Sequence, residues 1–495
     1  MSTQNNRWNS ALIILLGFSC LLYLYRIDKP SAPFWDENYY IATTERYKAG
    51  LAHLESHPPI GLMLIAAGDW LTGANSTLST APLARERHVS GDQIPKGYSF
   101  VGIRLFPSLF AILCIAAFFA LLRRCSGSDS VALAASVLLL VENSFITHFR
   151  AAHLDSIQLF FVLCTIYQLV VVWKRNLAIG VKDFAIFGAL CAAATLVKVN
   201  SVFLLALAPV MLLRDLSFVR SASRYGKFDR VFTNLGGLSG GAIAVCFAVF
   251  ALHTILGSHT PDRNSPSGQV TWAHSSDTYK AYYTGQEGLS FFVVLHVIRD
   301  YGRFMNQDHR GVPKLDICKP GENGSHPTSW PLNRKTINYR WDSSDGRTSY
   351  VQLVGNQVNW AIGLIGVILA ISITLARRIF KSTTVDHRVG EFIELILGLY
   401  LLYMAIVFYM AEQRVMYLYH YFVGLLLSLM LAGLSFKAII EIHRIKRVKA
   451  NIILVTVALA STANFAWLAP LSLHYPLTKA ECEARNFLQR VVECQ

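Results

Sequence analysis

Apolar stretches about as long as a membrane is thick recur along this 495-residue chain, and they constrain its fold more than any other feature. A membrane-spanning helix needs about 20 mostly apolar residues. By that rule we predict about eleven spans: Ala11–Tyr25, Val101–Leu122, Val131–Thr147, Ala151–Trp173, Phe184–Val197, Val199–Leu213, Val231–Leu256, Val358–Leu375, Phe392–Met410, Val415–Leu434 and Ile452–Leu471. Charged residues make up 15% of the chain, against about 25% in soluble domains. The chain is therefore predicted to be an all-α polytopic membrane protein.

The basic residues of the short loops predict the orientation of these spans, because cytoplasmic loops are enriched in Lys and Arg. With eleven crossings, the N-terminus lies inside, the C-terminus lies outside, and the basic clusters share the inner side: Arg123–Arg124, Lys174–Arg175, 214–230, Arg377–Lys381 and Arg444–Lys449. Much of the net charge of +14 thus sets topology. No nucleic-acid-binding motif occurs, so nucleic acid is not an expected partner.

Several local features complete this plan. The first span has no small-residue cleavage site after it, so we expect it to be retained. The fifth and sixth predicted spans flank Lys198 and could instead form one bent helix. Residues 26–100 and 257–357 form two long loops on the outer side, and the apolar stretch Ile60–Trp70 in the first loop predicts an interfacial helix. Cys482 and Cys494 could pair if the C-terminus lies in an oxidising compartment.

Adjacent carboxylates follow the first span, in the segment that contains Trp35, Asp36 and Glu37. A low dielectric near the membrane surface favours proton uptake by a carboxylate, as a general base requires. The alternative is a pair of solvated loop acids. The segment is a candidate catalytic site.

Further polar residues lie at the outer ends of the spans. His57 precedes two prolines, which suit a helix start, and it could also contact a phosphate or a sugar. Arg150 and Asp155 lie at membrane depth, where ionisable groups usually face a cavity or a partner; a structural ion pair between them is the alternative. Lys198 either extends its ammonium to the interface or meets an anion.

Two more groups lie later in the chain. Trp330 occurs in a loop segment rich in Ser, Pro and Thr, and Arg414 and His420 lie at the start of the tenth span. Six residues of helix rise about 9 Å, so Arg414 and His420 could flank one phosphate. An aromatic belt with an Arg at the interface is the alternative. Together these groups suit a reaction between a lipid-borne anionic reactant and a polar acceptor from outside.

The order of these motifs resembles the protein O-mannosyltransferases of the multi-span GT-C superfamily. The family pattern is an Asp-Glu pair, His-Pro-Pro-Leu-Gly, Arg…Leu-Asp-Ser, a Trp-Ser-Trp-Pro-like loop and Arg…Tyr-His-Tyr. The similar segments here are Asp36-Glu37, His57–Gly61, Arg150 to Ser156, Thr328–Leu332 and Arg414 to Tyr421. Thr328 stands where the family often has an aromatic residue, and no β-trefoil insertion interrupts the second long loop. The second of these departures, the missing insertion, indicates a bacterial-type member.

The resemblance implies one GT-C transmembrane catalytic domain over residues 1–495, with its last helices in residues 358–471. It implies that Asp36 acts as general base while a Ser or Thr hydroxyl attacks a polyprenyl-phosphate-linked sugar, mannose in this family, with inversion. Glu37 would orient the acceptor or a nearby Arg. The donor phosphate or sugar would meet His57, Arg150, Asp155, Lys198, Arg414, His420 and Tyr421, and Trp330 and Trp35 would contact the sugar or the acceptor. No metal or other cofactor is required, because Lys and Arg can neutralise the phosphate.

Other functions stay open at this point. A GT-C enzyme with a lipid or glycan acceptor, such as lipid A, would use the same donor-side cations. A lipid transporter would typically show internal repeats and ionisable residues at midplane, and neither is evident here. A structural membrane protein without chemistry is the third class. The expected location is the bacterial inner membrane, with the active site outside and secreted or membrane proteins as acceptors.

Overall fold

The computed structural model describes residues 2–175, 177–218, 224–380, 385–486 and 494. The described chain is mainly helical, so the predicted fold class is confirmed. Its helices are α1 (Ser2–Leu24), α2 (Glu37–Lys48), α3 (Pro59–Thr72), α4 (Val101–Ser126), α5 (Asp129–Leu140), α6 (Asn143–Phe149), α7 (Asp155–Lys174), α8 (Val181–Thr195), α9 (Leu207–Phe218), α10 (Arg224–Leu256), α11 (Pro266–His274), α12 (Asp277–Tyr283), α13 (Phe291–Arg310), α14 (Gln357–Phe380), α15 (His387–Ala411), α16 (Phe422–Ile442), α17 (Arg447–Ser472) and α18 (Lys479–Arg485).

The described helices include fewer full-length spans than the eleven predicted. Eight are long and apolar enough to cross a membrane, and α5 with α6, bent by 58°, would make nine. Of the other two predicted spans, the first is the shorter apolar helix Ser10–Leu24 and the fifth is α8, with 15 residues. Fifteen residues extend about 22 Å, less than the hydrocarbon thickness of about 30 Å. Lys381 and residues 219–223 of the predicted inner loops lie outside the described residues.

Lys198 separates the fifth and sixth predicted spans as two helices. Its backbone is extended, with φ of −143°, after α8 has ended at Thr195. A 3₁₀ helix, Val199–Ala206, then leads directly into α9, and the two together are long enough for one span. The short apolar helix predicted over Ile60–Trp70 is α3, which begins at Pro59 and ends before Gly73 in the left-handed region, at φ of +59°.

Contacts divide the chain into two compact units. The carboxylate unit, as we call it, comprises Arg26–Phe110 and Arg150–Val312 and contains the Asp36–Glu37 pair. In this unit α8 and α10 cross at very short range. A β-carbon at Gly241 would lie 2.0 Å from the carbonyl oxygen of Ala185, so only glycine allows this crossing.

The C-terminal unit comprises Met1–Tyr25, Ala111–Phe149 and Pro313–Gln495. Its transmembrane part is built largely on α14, α15 and α16, of which α16 is the most buried. The C-terminal unit also contains a three-stranded antiparallel sheet that the sequence analysis did not predict. The strands are β1 (Ile337–Ser344), β2 (Arg347–Leu353) and β3 (Pro476–Leu477), in the order β1-β2-β3. Cys482 and Cys494 form a disulfide, as the sequence analysis allowed.

Candidate active site

Asp36 is the residue immediately before α2 and is partly exposed. Its side chain makes no capping hydrogen bond to the helix. The preceding residue, Trp35, has φ of +52°, a left-handed conformation that bulky residues rarely adopt. Such strain is often found at functional sites, where the surroundings hold an unfavourable backbone in place. Asp36 therefore follows directly on a strained turn of the carboxylate unit.

Glu37, by contrast, is fully buried and bound to Arg104 of α4. The Nε and Nη2 atoms of Arg104 donate to the two carboxylate oxygens at 2.7 and 2.8 Å. The same carboxylate accepts the backbone N–H groups of Phe34, at 3.2 Å, and Ala152, at 2.9 Å. Of the two roles predicted for Glu37, this geometry corresponds to orienting an arginine. Because the carboxylate is enclosed, the geometry speaks against direct contact with substrate.

Lys198 and Asp155 form an ion pair in the carboxylate unit. The ammonium nitrogen of Lys198 lies 2.8 Å from both carboxylate oxygens of Asp155, and both side chains are largely buried. Arg150, which is 7% exposed, donates from Nη2 to the carbonyl oxygen of Arg26 at 3.1 Å. The structure thus places one carboxylate beside the lysine that was predicted to meet an anion.

His57 is held in position through its backbone. Its carbonyl oxygen accepts a hydrogen bond of 2.6 Å from the hydroxyl of Tyr301 in α13. Its partly exposed ring lies 6.0 Å, between centroids, from the ring of His309 at the end of the same helix. Helix α13 therefore fixes the segment that carries the His-Pro-Pro motif.

Asp308 connects this motif to a second segment of the first long loop. It accepts hydrogen bonds from the hydroxyl of Ser56 at 2.6 Å and from Nη2 of Arg87 at 3.1 Å. Burial, then the charge of Asp36 and more weakly that of Asp308, raise the pKa of Tyr39, whereas the charge of Arg87 lowers it. Asp36 and Asp308 are thus both within electrostatic range of one partly exposed tyrosine.

In the C-terminal unit, His420 belongs to a series of nearly parallel rings. His148 stacks on Tyr419 at 5.0 Å, Tyr419 on His420 at 4.5 Å, and His420 on Trp330 at 6.4 Å, with interplanar angles of 17–25°. The Nδ1 atom of His148 lies 2.8 Å from the hydroxyl of Tyr339. The predicted residues Trp330 and His420 are therefore brought together.

Two predicted contact residues in this unit are enclosed. Trp330 is fully buried, and its indole N–H donates to the hydroxyl of Ser325 at 2.9 Å. Tyr421 is 2% exposed, and its hydroxyl lies 3.2 Å from that of Tyr400. Enclosed rings cannot stack on a sugar, so the geometry speaks against the predicted contacts and favours packing roles for both.

Arg414 is a further predicted cation, in the C-terminal unit. Its Nε atom is buried, and it has no hydrogen-bond partner in the described part of the chain. Buried polar groups are nearly always paired. The Nε–H group of Arg414 is therefore an unused donor, and a bound anion could accept its hydrogen bond.

Sequence reasoning missed Arg104 and Asp308 as members of the candidate site. Arg104 interrupts the apolar run of the second span, and that interruption was a usable indication. Asp308 had no comparable pattern around it. Among the described residues, no group of three or more His, Cys, Asp or Glu side chains could hold a metal ion.

Comparisons with known proteins decide the family. Residues 13–256 match the family model described as dolichyl-phosphate-mannose-protein mannosyltransferase, and residues 305–491 match that of the C-terminal four-transmembrane region of protein O-mannosyltransferase. The chain belongs to the protein O-mannosyltransferase family. All eleven predicted site residues lie inside these two ranges.

Curated members of the protein O-mannosyltransferase family align with a limited part of the chain. Protein O-mannosyl-transferase 1 of Mus musculus is 30% identical over 159 residues, 32% of this chain and 20% of that protein. Dolichyl-phosphate-mannose–protein mannosyltransferase 1 of Candida albicans is 25% identical over 168 residues, 34% of this chain and 18% of that protein. The chain thus spans about a fifth of the length of the curated relatives it matches.

Solved structures of the family and its superfamily share the fold. The Saccharomyces cerevisiae protein O-mannosyltransferase Pmt1–Pmt2 complex bound to the sugar donor aligns with a TM-score of 0.79 at 15% identity, covering 99% of this chain and 92% of that chain. An apo oligosaccharyltransferase of Archaeoglobus fulgidus gives a TM-score of 0.50 at 13% identity, covering 94% and 56%. The fold is that of the GT-C glycosyltransferases.

Proposed function

We propose that this chain is an inverting glycosyltransferase that moves a sugar, mannose by family, from a polyprenyl-phosphate donor to Ser or Thr hydroxyls of extracytoplasmic proteins. Membership of the protein O-mannosyltransferase family supports the reaction class. The observation that carries the assignment of the base is the contrast within one acidic pair. Glu37 is fully buried and bound to Arg104, whereas Asp36 stays partly exposed beside a strained turn.

In the proposed reaction, Asp36 accepts the proton of the acceptor hydroxyl while its oxygen attacks the anomeric carbon. The bond from that carbon to the lipid phosphate breaks, and the phosphate leaves with the bonding electrons. Fixed cations stabilise the charge that develops on the leaving group. Lys198, Arg414 and His420 supply this charge, and Arg150 is a further candidate.

The remaining predicted residues have positioning or contact roles in this proposal. Glu37 and Arg104 hold the backbone around Asp36, and Asp155 holds the ammonium of Lys198. Trp330 packs against His420, and Tyr421 packs beside Tyr400, since both are enclosed. The partly exposed His57 and Trp35 are the proposed contacts to the donor sugar and the acceptor.

We further propose that the active site faces outward from a bacterial inner membrane and that the N-terminus lies inside. The Cys482–Cys494 disulfide supports this orientation, because disulfides persist mainly in oxidising compartments. An outer C-terminus is also what the charge pattern of the short loops predicts.

The test is transfer of mannose from a polyprenyl-phosphate donor to a Ser/Thr peptide by the purified chain, read by mass spectrometry. Asp36→Asn should lower kcat by at least about 10²-fold, the usual contribution of a general base, with donor binding unchanged. Asp28→Asn, which removes an exposed acid of the same loop, is the matched control. Full activity of Asp36→Asn would contradict the assigned base. Transfer to lipid or glycan acceptors, with none to peptide, would contradict the proposed acceptor.

A further inference from the structure

Helix α13, in the second long loop, has one buried and one exposed face. Its buried face consists of the side chains that pack within the carboxylate unit: Val293, Val294, Val297, Tyr301 and Phe304. Ser290 caps the helix by accepting a hydrogen bond from the N–H of Val293 at 3.3 Å. The helix is thus firmly packed along one side, and its other side remains uncovered within that unit.

The first turns of α13, together with the residue before its cap, expose large apolar side chains. Leu289, Phe291, Phe292 and Leu295 are 45%, 58%, 68% and 41% exposed. Soluble surfaces rarely present such a cluster, and membrane-facing surfaces commonly do. The patch therefore points to a lipid environment for this end of the helix.

A ring contact locates this apolar end of α13 relative to the spanning helix α10. Phe291 stacks on Phe247 of α10, with ring centroids 5.2 Å apart. Helix α10 is a candidate span, and only 6% of its most apolar stretch is buried. Phe247 lies nine residues before the last residue of this helix, Leu256. Nine residues correspond to about 13 Å along a helix. The start of α13 thus lies beside the apolar, lipid-facing part of a spanning helix, below its outer end.

Two arginines follow on the same face as Leu295. Arg299 and Arg303 lie four and eight residues further along, and this spacing keeps them on one side of the helix. Both are exposed. Arg299 contacts the carboxylate of its neighbour Asp300 at 3.3 Å, and that carboxylate also accepts the N–H of Ser276. Eight residues rise about 12 Å, so the face changes from apolar to cationic within that length of helix.

We propose that α13 lies obliquely in the membrane interface on the extracytoplasmic side and that Arg299 and Arg303 bind the headgroups of anionic phospholipids. The apolar end enters the acyl region, and the two guanidinium groups meet lipid phosphates above it. Each basic residue near an anionic surface contributes about 1 kcal/mol, or about fivefold in affinity. This binding site is separate from the proposed transfer reaction and does not depend on it.

The far end of α13 gives this site a connection to the candidate active site. Asp308, nine residues after Arg299, binds Ser56 and Arg87, and Tyr301 binds the backbone of His57. A lipid held by the middle of the helix would therefore restrain the loop segment that carries the His-Pro-Pro motif.

The test is native mass spectrometry of the purified full chain in nonionic detergent, titrated with phosphatidylglycerol or phosphatidylcholine. The wild-type chain should bind phosphatidylglycerol more tightly, and excess inorganic phosphate should not displace it. The Arg299→Gln/Arg303→Gln variant should lose this preference by about fivefold for each arginine. Arg299→Lys/Arg303→Lys should retain most of it, which separates loss of charge from misfolding.

Two further variants locate the site. Arg347→Gln/Lys479→Gln removes the same charge from exposed positions elsewhere and should keep the preference. Arg414→Gln should also keep it, because the predicted donor site is a different phosphate site. Equal binding of the two lipids by the wild type would overturn the inference, as would a preference that survives in Arg299→Gln/Arg303→Gln. Neither result would bear on mannose transfer.

Discussion

The guanidinium group of Arg104 donates hydrogen bonds to one short stretch of chain, residues 27–37. Besides the carboxylate of Glu37, it donates to the carbonyl oxygens of Ile27, Pro30 and Ala32 at 2.9–3.1 Å. Arginine has five N–H donors, and here five hydrogen bonds use them. The side chain is 0% exposed, so this network ties the loop before Asp36 to the start of α4. No pattern in the sequence links residues 67 positions apart, which is why the partner of Glu37 could not be predicted.

Arg104→Met should strongly destabilise the protein, because it leaves the Glu37 carboxylate buried without its partner. Breaking a buried ion pair on one side costs about 3–5 kcal/mol. Thermal unfolding of the purified chain measures the loss, and the double variant Arg104→Met/Glu37→Leu should recover part of it. Arg85→Met, which breaks an exposed pair with Asp262, should cost at most about 1 kcal/mol. Equal losses for Arg104→Met and Arg85→Met would contradict the structural role of Arg104.

Arg414→Gln should lower kcat for mannose transfer while leaving stability almost unchanged. The buried Nε atom has no partner among the described residues, so removing it breaks no hydrogen bond of that atom. Loss of one donor to a developing oxyanion typically costs about 10²–10³ in kcat. Activity and thermal unfolding are measured together, with Arg388→Gln, exposed in the first turn of α15, as control. A large loss of stability without a change in kcat would show that Arg414 is structural.

At the scale of elements, the long apolar helices could be predicted and the sheet was missed. Span helices are visible because burial in lipid demands some 20 apolar residues in succession. The β1–β2 hairpin had an available indication, since Asp345-Gly346 at its turn is a favoured two-residue hairpin sequence. Both turn residues have positive φ, of 51° and 71°. Its strands are short and partly polar, and their third partner, β3, comes from more than 120 residues later, which local patterns do not reveal.

The segment between α2 and α3 should make stability dependent on pH through His53. Burial, and then the charge of Arg46, lower the pKa of this histidine to about 3. An unfolded histidine has a pKa near 6.5, so between pH 6.5 and 3 the unfolded chain binds a proton that the folded chain does not. The stability contribution is therefore complete above pH 6.5 and falls as the pH drops, by about 2 kcal/mol at pH 5.

Thermal unfolding at pH 7 and pH 5 measures this effect. The unfolding midpoint of the wild-type chain should fall more between the two pH values than that of His53→Gln, which lacks the imidazole at this position. His387→Gln removes an exposed histidine and should keep the wild-type dependence. If His53→Gln and the wild type showed the same dependence on pH, His53 would not be the responsible group.

At the scale of the whole molecule, residue types and their order were sufficient for most of the functional prediction. The sequence did not reveal which charged side chains are paired with one another. The positions of Asp36, Lys198 and Arg414 at the ends of spans follow from the hydropathy pattern. Whether each is paired depends on distant residues. The structure gives Lys198 a carboxylate partner, encloses Glu37 and leaves the Nε atom of Arg414 unused. These three outcomes depend on tertiary packing, and they separate positioning residues from proposed contact residues.

The orientation of the whole molecule predicts which side of the membrane exposes each loop. Cys318, in the second long loop, is a free and exposed cysteine, and the proposed topology places it outside. A membrane-impermeant maleimide should therefore label wild-type protein in right-side-out vesicles, and Cys318→Ser should abolish most of that labelling. A Cys318→Ser/Lys449→Cys variant carries its thiol on the predicted inner side and should react only after the vesicles are opened. Labelling of that variant in sealed vesicles, with Cys318 protected in the wild type, would show that the topology is opposite to the proposed one and that the candidate active site lies inside.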